Sequence, residues 1–135
     1  MNKNLPLSNI VVLDLTNVLS GPFATQILSD LGAEIIKVEK PDGDDSRKFG
    51  PFVKKRSSYF ISLNRGKKSI IIDFKKDKDK KIFKKLLAIS DVIIDNFRPG
   101  TLEKYGFSSS FLKENFPSLI QAKISGFGET GPLKG

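Results

Sequence analysis

Cysteine, histidine and tryptophan are all missing from these 135 residues, and methionine occurs once. Without cysteine the chain has no disulfide, no thiol nucleophile and no thiolate metal ligand of its own. Without histidine it lacks the side chain whose ordinary pKa suits general acid–base work near neutral pH. Long apolar runs are missing too, since none approaches the roughly 20 residues that span a bilayer. The apolar run IVVLDL near the N-terminus is broken by Asp14 and makes no signal-peptide core. These absences predict a cytoplasmic chain with no membrane association and no metal site. Acidic residues are outnumbered, 15 Asp+Glu against 23 Lys+Arg, for a net charge of +8. The excess concentrates between Arg65 and Lys85, where Arg65, Lys67, Lys68, Lys75, Lys76, Lys78, Lys80, Lys81, Lys84 and Lys85 face only Asp73, Asp77 and Asp79. Such a cluster reads as a solvated helix face, as attraction for a phosphate-bearing small ligand, or as a nucleic-acid surface. Aromatic residues are not interleaved with it as single-strand binders require, so no nucleic acid is expected.

What is present is a set of short β-branched runs alternating with helical periodicity. Ile10–Leu15 reads as a buried strand, Thr16–Pro22 as a loop, and Pro22 suits the first turn of a helix. Phe23, Ala24, Ile27, Leu28 and Leu31 then fall on one helical face, and Gly32 closes the helix. Ala33–Glu39 is the next strand, which completes a βαβ unit and implies a parallel sheet. Lys40–Ser58 has little apolar periodicity, and loops of that length are functional or disordered. Its Asp42, Asp44 and Asp45 lack the fuller ligand run of a calcium loop and read as loop capping and solubility. Tyr59–Leu63 and Ser69–Phe74 read as strands around a basic turn. Asp77 or Asp79 is expected to cap a helix that buries Ile82, Phe83, Leu86 and Leu87. Val92–Ile94 is a further buried strand, a short helix is expected near Pro99, another spans Ser109–Asn115, and Leu119–Ile124 is a last strand. Nothing after that strand covers its edge, so the chain reads as interrupted after Gly135. Asp14, at a strand end, reads as a structural acid that hydrogen-bonds loop amides.

Several punctuated segments occur in a specific order. VLDLTNVLSGP (Val12–Pro22) leads to LGAEIIKVEKPDGDDSR (Leu31–Arg47), then LNRGKKSIIIDFK (Leu63–Lys75), NFRPGTLEKYG (Asn96–Gly106) and ISGFGETGP (Ile124–Pro132). The set resembles the N-terminal part of the family III CoA-transferases, which include formyl-CoA and carnitine-CoA transferases and the α-methylacyl-CoA racemases. The resemblance implies an α/β fold: a Rossmann-like parallel sheet with flanking helices, of which residues 1–135 form the N-terminal part of the CoA-binding large domain. It also implies an interlocked homodimer for the full-length protein.

The activity implied is transfer of CoA from an acyl-CoA thioester to a carboxylate acceptor through an aspartyl intermediate. The Asp lies beyond this chain, so none of these residues is assigned as catalytic and the segment alone is expected to be inactive. Coenzyme A enters as substrate and product, with no tightly bound cofactor, and the partners are acyl-CoA and carboxylate small molecules. An α-methylacyl-CoA racemase stays open as an alternative, as does a non-enzymatic module binding a nucleotide or nucleic acid. By position in the motifs, the resemblance assigns Val18, Leu19 and Ser20 to the pantetheine channel and Lys40 to the adenine and phosphates. Ile72 and Phe74 flank the adenine, with Lys75 a phosphate partner. Asn96, Phe97 and Arg98 approach the diphosphate and pantetheine, and Lys104 is a further phosphate cation. Where family members often carry Arg at the equivalents of Lys40 and Lys104, lysine keeps the charge and loses the bidentate fork.

Overall fold

Of the expected strands, all but Tyr59–Leu63 form close to their expected places. In chain order the elements are β1 (Val11–Asp14), α1 (Ser20–Asp30), β2 (Glu34–Glu39), β3 (Phe52–Val53), β4 (Arg56–Ser57), α2 (Ser58–Asn64), β5 (Lys68–Ile71), α3 (Asp77–Ala88), β6 (Val92–Asp95), α4 (Ser109–Asn115) and β7 (Ile120–Lys123). Short 3-10 turns occupy Asp45–Lys48 and Glu103–Tyr105. The computed structural model describes residues 5–128 and 130–133, so Glu129 of the ISGFGETGP segment, residues 1–4 and residues 134–135 lie outside the described residues.

Five strands form one sheet in the order β5-β2-β1-β6-β7, and every pairing is parallel. From β1 the chain moves outward through β2 to β5, then returns to lay β6 on the other side of β1. That reversal makes the carboxyl ends of β1 and β6 the topological switch point, where open α/β sheets bind ligands. Strands β3 and β4 form a separate antiparallel hairpin. Among the described residues the outer edges of β5 and β7 have no strand partner.

The two faces of the sheet are built differently. Side chains alternate across a strand, and Leu13, Ile36, Val38 and Ile93 join Phe83 and Leu87 of α3 in the larger core. Phe83 is wholly buried, with its ring centroid 4.9 Å from Phe74 and 4.8 Å from Phe107 in edge-to-face contacts. The opposite face starts apolar, with Val12, Ile35 and Ile94 packed near Leu28 of α1. Towards the carboxyl end it turns ionic: Asp14, Lys37 and Glu39 are all buried there. A polar layer on that face draws α1 onto it through its own polar side.

Four expectations are corrected. Tyr59–Leu63 is helical, not a strand: Ser57 caps α2 by accepting from the Phe60 amide at 3.0 Å, and its hydroxyl is fixed by the carbonyls of Ser46 and Phe49. The buried side of α1 is Gly21, Pro22, Thr25 and Gln26, whereas Phe23, Ile27 and Leu31 are exposed. Thr25 decides that orientation by donating to Asp14 at 2.6 Å. Neither Asp77 nor Asp79 caps α3; Lys76 occupies the cap position without a side-chain bond, and the Asp79 carboxylate accepts from the Asp73 amide at 2.9 Å. The helix expected near Pro99 is a turn followed by the 3-10 segment Glu103–Tyr105. Gly32 follows α1 at φ +105, as a helix terminator should, and α4 has the expected limits with Ser108 as its cap.

Candidate ligand site at the switch point of the sheet

The loop after β1 is held from several sides. Asp14 accepts from the Thr16 amide at 2.9 Å and from its hydroxyl at 2.5 Å. This is the structural role expected of that acid. Its second oxygen takes Thr25 and the Lys67 ammonium, the latter at 3.1 Å. Lys67, unforeseen in this role, also donates to Pro22 O, Thr25 Oγ1 and Asn64 Oδ1 at 2.7–2.9 Å. Burial pulls its pKa below the usual lysine value while the Asp14 charge opposes the shift. Gly21 is required where α1 begins: a Cβ there would stand 2.2 Å from Thr16 Cβ, closer than any side chain tolerates.

Asn17 and Val18 complete the loop. The Asn96 amide clamps Asn17 in both directions, accepting from its N–H and donating to its C=O, each at 2.9 Å. Val18 sits at φ 69, a left-handed conformation costing a β-branched residue about 1–3 kcal/mol, which persists only where neighbours impose it. Its amide donates to Asp44 at 3.3 Å.

Asp44 is the inner end of the Lys40–Ser58 segment, which is ordered by buried charge. Burial disfavours the charge of Asp44, but Lys37 and the Ser46 hydroxyl outweigh it and hold the carboxyl below its ordinary range. Glu39 takes a bidentate fork from Arg47, both contacts at 2.6 Å, plus the Ser69 hydroxyl and the Asp44 amide. Burial again opposes, yet these donors lower its pKa from 4.5 to about 2. Because the folded value lies below the unfolded one, this stabilisation is complete above 4.5 and disappears as pH falls towards about 2. It should amount to roughly 3 kcal/mol. Acid titration of unfolding free energy should show that loss, and Glu39→Gln should flatten the curve in that window.

Two depressions meet at Phe97. The first, a cleft of about 170 Å³, is walled by Lys40, Ile72, Phe74 and Phe97 together with Asn17 and Tyr105. The second runs along Ser20, Asn96, Phe97 and Arg98 to the Ser125–Gly128 segment. Seven of the eleven expected residues therefore line one or the other. Phe74 is both core and wall, since its ring packs on Phe83 and stacks on Tyr105 at 5.3 Å. Ile72 is almost wholly buried, and the Asn96 side chain is committed to Asn17. Lys40 is already paired with Asp45 at 2.6 Å, which raises its pKa. Val18, Leu19, Lys75 and Lys104 line neither depression. Lys75 and Lys104 are exposed and adjoin Phe74 and Tyr105 in sequence. Asp42, Asp44 and Asp45 do not converge, because Asp44 turns inward to Lys37 and Asp45 outward to Lys40.

Charge pairing leaves a sign behind. Asp14, Glu39, Asp44 and Asp45 are each matched by a cation. Among the described residues Lys75, Arg98 and Lys104 have no ion-pair partner.

A doubly wound parallel sheet with a cleft at its switch point defines an α/β ligand-binding domain. The sequence pattern of CoA-transferase family III matches residues 7–135, and the chain belongs to that family. It is 49% identical over 129 residues to an acetyl-CoA:oxalate CoA-transferase of Acetobacter aceti, covering 95% of this chain and 33% of the relative. It is 49% identical over 135 residues to the human succinyl-CoA:glutarate CoA-transferase, covering 98% and 31%. The chain thus spans about a third of the length of these curated relatives. Among solved structures, a CAIB/BAIF family protein from Brucella suis superposes with a TM-score of 0.90 at 44% identity, covering 96% of this chain and 36% of that one.

Proposed function

We propose that these residues are the CoA-binding part of an enzyme that moves CoA from an acyl-CoA thioester to a carboxylate acceptor. The observation that carries the reading is the aromatic cleft at the switch point, with Arg98 in the adjoining groove and Lys75 and Lys104 next in sequence to its walls Phe74 and Tyr105. An adenine suits the Phe74–Tyr105 wall, and phosphates suit Lys75, Lys104 and Arg98. The groove from Phe97 past Ser20 would take the pantetheine arm, with Val18 and Leu19 shaping its far end through their backbone. Lys40 would meet a phosphate only by exchanging Asp45 for it. The reaction would run through an aspartyl intermediate formed by a carboxylate outside residues 1–135, which form the first part of the large domain of an interlocked, cytoplasmic homodimer. The relatives quoted are named as CoA-transferases, and nothing in them favours the racemase or nucleic-acid readings.

The test is CoA transfer by the full-length protein from acetyl-CoA and succinyl-CoA to small dicarboxylates, with CoA binding measured by calorimetry. Absence of both would overturn the reading. Lys75→Ala and Lys104→Ala should each weaken CoA binding by about 1.5–3 kcal/mol, the range for hydrogen bonds to charged groups. Dephospho-CoA should show which lysine meets the 3′-phosphate, since that lysine's substitution would then cost nothing. Unchanged CoA affinity in both variants would make these lysines solvated surface.

A further inference from the structure

Lys37 lies on β2, an inner strand of the sheet, and neither it nor Asp44 lines a cleft. Both side chains are buried, at 1% and 0% exposure, with Lys37 Nζ 2.8 Å from Asp44 Oδ2. A buried ion pair adds little stability over an apolar pair of similar volume, whereas its hydrogen bonds fix direction. Those bonds converge on one loop. Lys37 Nζ donates to Thr16 O at 2.7 Å, and Asp44 Oδ1 accepts from the Val18 amide. Asp44 cannot shift to follow the loop. Its Oδ1 is held by the Ser46 amide and hydroxyl, and its own N–H donates to Glu39.

We propose that the Lys37–Asp44 ion pair is the positioning device of the site: it grips residues 16 and 18 and keeps the left-handed Val18 backbone preformed for the ligand. What the loop meets rests on the CoA reading above. Asn96, just after β6, clamps Asn17, so the loop after β1 is held from the side of both neighbouring strands, β2 and β6. The loop leads straight into α1, whose first residue is Ser20. Releasing the pair leaves the Val18 strain unopposed on that side, and the loop populates other shapes. A ligand that needs the native shape then binds in proportion to its remaining population.

The test uses the full-length protein, Lys37→Met, and the charge-neutral double variant Lys37→Met/Asp44→Asn. Amide hydrogen exchange is read for residues 16–20 and, as a control, for α3 and β6. CoA affinity is read by calorimetry. In the double variant, exchange across 16–20 should accelerate while α3 and β6 keep their protection. CoA affinity should drop about tenfold, as expected if the competent loop population falls to about a tenth. A folded double variant with native loop protection and native CoA affinity would reduce the pair to a structural role and overturn the proposal. The wild type supplies a second test should the variants not fold: the Asn17 and Val18 amides should be protected without CoA. Rapid exchange there, slowed only by CoA, would mean that the ligand shapes the loop, which also overturns it. A wild type that binds no CoA would refute the CoA reading, and the exchange measurement would still decide this one.

Discussion

Replacing Lys67 by methionine is expected to cost about 3–5 kcal/mol of stability, the range for removing one partner of a buried ion pair. Lys67 and Asp14 are 1% and 0% exposed, so the carboxylate left behind has no route to water. The ammonium also joins three chain segments, meeting β1 at Asp14, α1 at Pro22 O and Thr25, and the end of α2 at Asn64. Methionine fills the space and satisfies none of these groups. Urea unfolding of the variant against wild type reads the loss directly. The double replacement Lys67→Met/Asp14→Asn should recover part of it, because the orphaned charge causes more of the damage than the missing contacts. A loss below about 1 kcal/mol would place the pair with solvent-screened surface bridges.

Phe83→Ala should cost a similar amount on the other face of the sheet, about 3–5 kcal/mol, for a large buried side chain replaced by a methyl group. Phe83 is wholly buried and touches both Phe74 and Phe107 edge to face. Because Phe74 is also a wall of the cleft, the cavity left behind should let that wall sag. CoA affinity should therefore fall together with stability. Leucine at the same position should restore most of the unfolding free energy and less of the affinity, since it fills volume without the flat edge that props Phe74. Parallel urea and calorimetric titrations of the two variants distinguish these effects.

The positions of the five sheet strands along the chain were readable because β-branched runs and glycine terminators are local signals. The family resemblance carried the candidate site from the order of its motifs. The errors fall where a distant polar group decides. YFISL at 59–63 has strand-forming residues, and it becomes helix because Ser57 is anchored by carbonyls at 46 and 49. The apolar side of α1 predicted its buried face wrongly because Asp14 and Lys67 pull Thr25 inward. Lys37 had a signal that went unused: it lies between Ile36 and Val38 on a strand of a parallel sheet, and an inner strand of such a sheet has no solvent face. Lys67 had none, since its partners are 53, 45, 42 and 3 positions away.

Val18 carries a further consequence for anyone who tries to improve this protein. Glycine or asparagine would accept its left-handed backbone more readily than valine, so a search for thermostability would nominate that position early. The gain would come from the loop that borders the site, where a stiff β-branched residue limits the number of shapes available. Relaxing it trades a defined surface for a tolerant one, and stability gained in this way is commonly repaid in function. Heat tolerance is better sought at positions remote from residues 16–20.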